Sequence, residues 1–167
     1  MIKRYLYPDY YFDDIYEITP ALLREHNIKG LICDIDNTLE PYENPLPSDR
    51  LLNWITEITD AGISIAFVSN NNNERVELFN RDLGFYAAGK SGKPSRKHLI
   101  KAMNHMRTDI TSTAMIGDQL FTDIYAGKRL RLFSILVKPI NDKKTLFFRF
   151  KRYFERIILK GYKLNER

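Results

Sequence analysis

Between residues 30 and 137 this chain alternates short apolar runs with helix-like segments, and that alternation narrows the fold more than any other feature. Gly30-Leu31-Ile32-Cys33 leads into Asp34 as a short apolar run, the pattern of a strand covered on both faces in a parallel sheet. Ile63 to Val68, Phe85 to Ala88, Ser112 to Ile116 and Phe133 to Val137 read the same way. Helices fall between them. Ser48 caps one with apolar Leu51, Leu52, Ile55 and Ile58, closed by Gly62. A turn at Asn70 to Asn73 opens another, carrying Val76, Phe79 and Leu83 and ending at Gly84. Pro94-Ser95 starts a third that runs through Met106, and a fourth runs from near Thr122 or Asp123 to about Arg129. Such alternation with short connections predicts an α/β fold of three layers, a parallel sheet with helices on both faces.

At 167 residues, 44% hydrophobic and 28% charged, the chain is long enough to bury a core. Its one cysteine, Cys33, leaves no internal disulfide, and the start MIKRYLYPDYYFDD lacks the apolar core of a signal peptide. No run approaches the roughly 18 apolar residues that span a bilayer. A cytoplasmic protein is expected. The net charge of +5 is unevenly placed: Lys143 to Arg167 hold nine Lys or Arg against Glu155 and Glu166, so this tail carries +7 and the rest −2. Composition breaks near Pro139 to Lys143, which sets expected boundaries of 1–140 for a folded domain and 141–167 for a basic tail.

In open α/β sheets, reactive groups collect beyond the carboxyl ends of the strands. Here one strand ends in Asp34-Ile35-Asp36-Asn37-Thr38, another in Ser69-Asn70, and a third in Gly117-Asp118 with Asp123 five residues on; Lys93 lies in the loop Gly92-Lys93-Pro94. Each alone has a bland reading as turn, helix cap or solvated lysine. Together, in this order, they bring four acids, a hydroxyl and an ammonium to one edge. Phosphoryl transfer needs such a set. Crowded carboxylates are costly to keep ionised without a cation, and Mg²⁺ suits oxygen ligands. One Asp would attack phosphorus and the other handle protons, while Ser69 and Lys93 hold the phosphate oxygens.

The four segments CDIDNTL, SNNN, GKPS and IGDQLFTD resemble the motifs of haloacid-dehalogenase (HAD) superfamily phosphatases, over roughly residues 28 to 139. More narrowly they resemble subclass IIIA of the YqeG type, whose relatives include phosphatidylglycerophosphate phosphatases. The resemblance implies a Rossmann-like HAD fold, with Asp34 as nucleophile and Asp36 as general acid and then base. Mg²⁺ would be held by Asp34, the backbone carbonyl of Asp36 and Asp118, with Asp123 an outer ligand or an orienter of bound water. Ser69, Asn70 and Lys93 would bind the phosphate, and Thr38 would shape the turn. HAD enzymes often carry a cap domain, but neither gap that could hold one is long enough here, which predicts an open site suited to large or surface-bound substrates.

Read as a helix, the tail places Leu146, Phe150, Tyr153, Phe154 and Ile157 on one stripe, with Arg149, Arg152, Arg156 and Lys160 opposite. That is the pattern of a helix lying in a membrane interface, where anionic lipid attracts each nearby cation by roughly 1 kcal/mol. The bland alternative is a terminal helix packed on the domain. The tyrosine-rich N-terminus either extends that surface or packs over the sheet. The expectation is a Mg²⁺-dependent phosphatase of phosphatidylglycerophosphate, peripheral on the cytosolic membrane face, whose partners are anionic phospholipid and not nucleic acid. Its rivals are a phosphatase of nucleic-acid ends, phosphoproteins or soluble esters, and a non-catalytic adaptor.

Overall fold

The computed structural model describes residues 2–141 and 146–163, with side chains described for 4–141 and 153–162. Six strands, β1 (Tyr10–Phe12), β2 (Gly30–Cys33), β3 (Ser64–Val68), β4 (Tyr86–Ala88), β5 (Thr113–Gly117) and β6 (Phe133–Val137), form one sheet in the order β1-β6-β5-β2-β3-β4. Every neighbouring pair is parallel. The helices are α1 (Ile2–Leu6), α2 (Pro20–Glu25), α3 (Asp49–Asp60), α4 (Asn73–Asn80), α5 (Lys97–Met106), α6 (Tyr125–Arg129) and α7 (Leu146–Lys163).

The apolar runs form strands because both sheet faces are covered, and alternation sorts their side chains. Leu31 and Cys33 share one layer with Ile65, Phe67, Ala114 and Ile116, while Ile32 joins Ala66, Val68 and Met115 on the other. Residues Trp54, Ile58 and Phe79 of α3 and α4 fill the first layer, and Leu99, Met103 and Ala126 of α5 and α6 the second. At Gly127 a Cβ would stand 2.9 Å from Met115 Cβ, so α6 approaches the sheet only because that residue has no side chain. Ser48 caps α3, its hydroxyl accepting the Leu51 N–H at 3.3 Å. Leu52 departs from expectation and is exposed; the buried arc is Leu51, Trp54, Ile55 and Ile58, from which position 52 is rotated by about 100°. Trp54 donates its indole N–H to the Ile18 carbonyl at 2.9 Å.

The tyrosine-rich N-terminus supplies a strand of the sheet itself. Tyr10 and Phe12 pair with Ile135 and Val137, making β1 the edge beyond β6. Cys33 is wholly buried in the central strand. A thiol reagent therefore labels the denatured protein fully and the native protein at a negligible rate; fast native labelling would contradict this packing.

No cap domain interrupts the described residues: the loop after β2 leads directly to α3, and only α4 and β4 separate β3 from the Lys93 loop. Helix α7 packs through Glu155, Ile158, Leu159 and Tyr162. Ile158 and Leu159 meet Leu120, Ile124 and Leu136, and Tyr162 stands edge-on to Tyr7 at 5.5 Å. Of the expected stripe, the side chains of Leu146 and Phe150 lie outside those described, while Tyr153, Phe154 and Ile157 face solvent at 60%, 43% and 49% exposure. Among the described residues no helix is long and apolar enough to cross a membrane.

Glu155 is the buried acid of this helix, and it accepts the Leu120 N–H at 3.0 Å. Glu155→Ala leaves that buried donor without this acceptor and lowers the unfolding free energy by about 1–3 kcal/mol, measured by urea titration. Glu155→Gln, which keeps a carbonyl acceptor, loses less. Equal losses in the two variants would show that this hydrogen bond does not hold the helix.

Candidate active site

Leaving the central strand β2, the chain builds β3 and β4 on one side, then returns to lay β5 and β6 on the other. In open α/β sheets this switch, where the loops diverge at the carboxyl ends of the strands, is where ligands bind. Asp34 follows β2, Ser69 follows β3, Lys93 lies beyond β4, and Asp118 follows β5. All four are buried, and so is Asp123.

After Asp34 the chain turns tightly. Asn37 adopts the left-handed conformation at φ 63°, its N–H donating to the Glu40 carbonyl at 2.7 Å, and the Leu39 N–H donates to Ile35 at 2.9 Å. This turn carries the Thr38 hydroxyl to 3.4 Å from Asp34 Oδ2 and 3.3 Å from Asp118 Oδ1. Thr38 thus joins the two strand ends, beyond the turn-shaping role expected of it.

Lys93 Nζ lies 2.8 Å from Asp34 Oδ1 and 2.7 Å from Asp123 Oδ1. Burial alone would lower the lysine's pKa, but the two carboxylates outweigh it and hold the ammonium above its usual range. Burial also pushes Asp123 up to about 6, against the pull of Lys93. Asp123 owes its place to a wide turn at Leu120–Ile124, in which the Ile124 N–H reaches back to the Gln119 carbonyl at 3.2 Å. Its Oδ2 accepts the Gln119 N–H at 3.1 Å. A Cβ on Gly117 would fall 2.3 Å from Asp123 Cβ, so only glycine admits the carboxylate here.

One oxygen each from Asp34, Asp118 and Asp123 lies within 4.8 Å of the others, a group able to hold a metal ion. The donors are hard oxygens, as a small divalent cation prefers. Charge agrees with this: Asp34, Asp36, Asp118 and Asp123 face two cations, Lys93 and Arg75, which leaves a formal deficit of two. Asp123 Oδ1 is shut off from solvent, and the ammonium beside it, Lys93 Nζ at 2.7 Å, is shared with Asp34. The residues fit a divalent cation.

Asp36 stands beside this cluster with its carboxylate held separately. Asn71 Nδ2 donates to Oδ2 at 2.7 Å, and Arg75 Nη2 lies 3.2 Å from Oδ1. Arg75 also donates to the Asn44 and Pro45 carbonyls at 2.7 and 2.8 Å, tying the proline-bearing loop to Asp36. Glu40 closes that loop from within, accepting the Ser48 N–H at 2.9 Å and Asn44 Nδ2 at 3.0 Å. Asn71 and Arg75 are not among the residues singled out from the sequence; their only signal is a place in and just after the run SNNN. Ser69 Oγ accepts the Asn71 N–H at 3.1 Å. Asn70 is turned to the lysine loop, where its Oδ1 accepts the Lys93 N–H at 2.7 Å and its Nδ2 donates to the Lys93 carbonyl at 3.1 Å. Asn70 therefore acts on the site by fixing the loop that carries Lys93.

Residues 90–144 match the HAD-hydrolase-like family. Over 163 residues, 98% of this chain and 95% of the relative, the sequence is 39% identical to a Bacillus subtilis (strain 168) protein described as "Probable phosphatase YqeG". The chain belongs to the HAD-like phosphatase family. Solved structures agree in fold. The cobalt-bound deoxy-D-mannose-octulosonate 8-phosphate phosphatase of Haemophilus influenzae aligns over 83% of this chain and 91% of its own at a TM-score of 0.53 and 17% identity. A HAD-superfamily hydrolase of Ehrlichia chaffeensis aligns over 78% and 98%, also at 0.53, with 16% identity. At such identities these neighbours speak to the fold alone. Within that fold, the acidic cluster of this HAD-like phosphatase sits where the sheet topology puts reactive groups.

Proposed function

We propose that this HAD-like phosphatase removes the terminal phosphate of phosphatidylglycerophosphate, uses Mg²⁺, and works as a peripheral protein on the cytosolic face of a membrane. Asp34 attacks phosphorus, the bond to the leaving glycerol oxygen breaks, and that oxygen takes a proton from Asp36. Asp36 then takes a proton from water as the water oxygen attacks the aspartyl-phosphate, freeing inorganic phosphate and the Asp34 carboxylate. Asn71 and Arg75 keep Asp36 aimed for both transfers, while Lys93 and Ser69 hold the phosphoryl oxygens and Lys93 offsets their developing charge. Asp34, Asp118 and the Asp36 carbonyl would hold the Mg²⁺, with Asp123 behind them; bound there, the ion supplies electrostatic stabilisation of the phosphoryl oxygens.

One observation carries the lipid reading: α7 leaves Tyr153, Phe154 and Ile157 in solvent, with exposed Arg156 and Lys160 beside them. An exposed apolar strip edged with cations suits an anionic bilayer surface. Backbone binding by a polynucleotide has no use for the strip. The test is phosphate release from phosphatidylglycerophosphate in mixed micelles, with Mg²⁺ and then with EDTA, beside an aryl phosphate. Metal-dependent release from the lipid supports the reading. Turnover of the aryl phosphate alone keeps the phosphatase and rejects the lipid. Retention of the protein by single-stranded DNA and not by anionic liposomes favours nucleic-acid ends.

A further inference from the structure

A cavity of about 270 Å³ lies between α7 and the carboxyl end of β6, and its inner wall reaches Asp118. Tyr11, Leu136 and Leu159 give it an apolar lining, and Lys138 and Arg156 stand on its wall. None of these five residues has a part in the chemistry above. Glu155 also borders the space, but its carboxylate is buried and engaged with the Leu120 N–H, which fixes α7 as the outer wall. Lys138 makes only a loose pair with exposed Asp13, at 3.9 Å, and is available to another anion.

We infer that this cavity is the subsite for the part of the substrate that stays behind: the phosphodiester of an anionic phospholipid headgroup, with the first carbons of its chains. The inference rests on the lipid reading and extends it. A phospholipid monoester whose terminal phosphate is at Asp34 carries a second, permanent negative charge a glycerol unit away. Lys138 and Arg156 answer that charge, and Leu136, Leu159 and Tyr11 cover the carbons beyond it. The same helix that walls the cavity turns Tyr153, Phe154 and Ile157 outward, so a lipid entering from the bilayer has its headgroup beside the metal-ligand loop. A simple phosphate monoester has nothing to place there. The cavity thus sets substrate preference, apart from the chemistry.

Two measurements on the full chain test this. In the first, kcat/KM is compared for phosphatidylglycerophosphate bearing two six-carbon chains and for an aryl phosphate. In the Lys138→Gln, Arg156→Gln double variant the lipid-to-aryl ratio falls by at least about tenfold, chiefly through the lipid's KM, whereas a general structural loss would lower both rates and leave the ratio alone. Arg156→Lys, which keeps the charge, retains most of the ratio. In the second, six-carbon phosphatidylglycerol, a diester with no monoester to hydrolyse, inhibits aryl phosphate turnover competitively, and the double variant weakens that inhibition by a similar factor. An unchanged ratio, or inhibition equal in wild type and variant, overturns the subsite. No turnover of the lipid monoester by wild type, with charge-dependent inhibition by the diester intact, would reject the proposed reaction and keep the subsite. Absence of inhibition by the diester would reject the subsite whatever the lipid turnover.

Discussion

Asp34→Asn abolishes phosphate release from every monoester, by more than about a thousandfold, while the protein still folds. The amide has the shape of the carboxylate but no charge with which to attack phosphorus. Its carbonyl can still accept from Lys93 Nζ, which in the native site lies 2.8 Å away. Lys93 also keeps its second partner, Asp123, at 2.7 Å. Without metal, the substitution takes one carboxylate out of a buried group crowded within 4.8 Å, so the melting temperature in EDTA is no lower than that of wild type. Turnover and a melt on the same preparation check both halves. Wild-type activity in the variant would remove the aspartyl-phosphate route, and a collapsed melt would mean that Asp34 serves the fold before the chemistry.

Part of this site is legible in the chain because topology does the work. Asp34, Ser69 and Asp118 each follow an apolar run, and once those runs are parallel strands covered on both faces, their far ends meet at one edge. Five of the six strands announce themselves in this way. β1 does not: like β4 it is three residues long and lies at an edge, but its tyrosine-rich segment does not stand out as a strand in the sequence, and its pairing with β6 makes it one. The partners of Asp36 are equally hidden. Arg75 sits in the first turn of α4, where an arginine ordinarily points to water, and nothing local says that Asp36, from a different loop, will lie under it.

The outward face of α7 is hidden for another reason. Tyr153, Phe154 and Ile157 form the stripe that helical spacing picks out, yet the face that packs carries Ile158, Leu159 and Tyr162, with Glu155 accepting the Leu120 N–H, a backbone donor that no periodicity displays. Tertiary context overrides the helical pattern here, and what it leaves exposed is the surface on which the membrane reading depends.

Lys93→Met has the opposite signature to Asp34→Asn: it costs stability as well as rate. Lys93 is the one cation shared by Asp34 and Asp123 in the described site, and methionine fills its stem without its charge. Breaking a buried pair from one side strands the charge on the other, at about 3–5 kcal/mol. In EDTA the variant therefore unfolds at a clearly lower urea concentration than wild type. Adding Mg²⁺ narrows the gap, since the cluster, more negative by one charge, gains more from a divalent cation than the wild-type cluster does. Rate does not return with stability, because the ammonium that offsets charge on the phosphoryl oxygens is still missing. Urea titrations of both proteins, with EDTA and with Mg²⁺, separate these effects. Equal midpoints in EDTA would mean that the buried acids take up protons at no cost and that Lys93 does not hold the cluster together. A gap that Mg²⁺ leaves unchanged would mean that the ion does not share the charge balance of Asp34 and Asp123, and the metal site would have to be placed elsewhere.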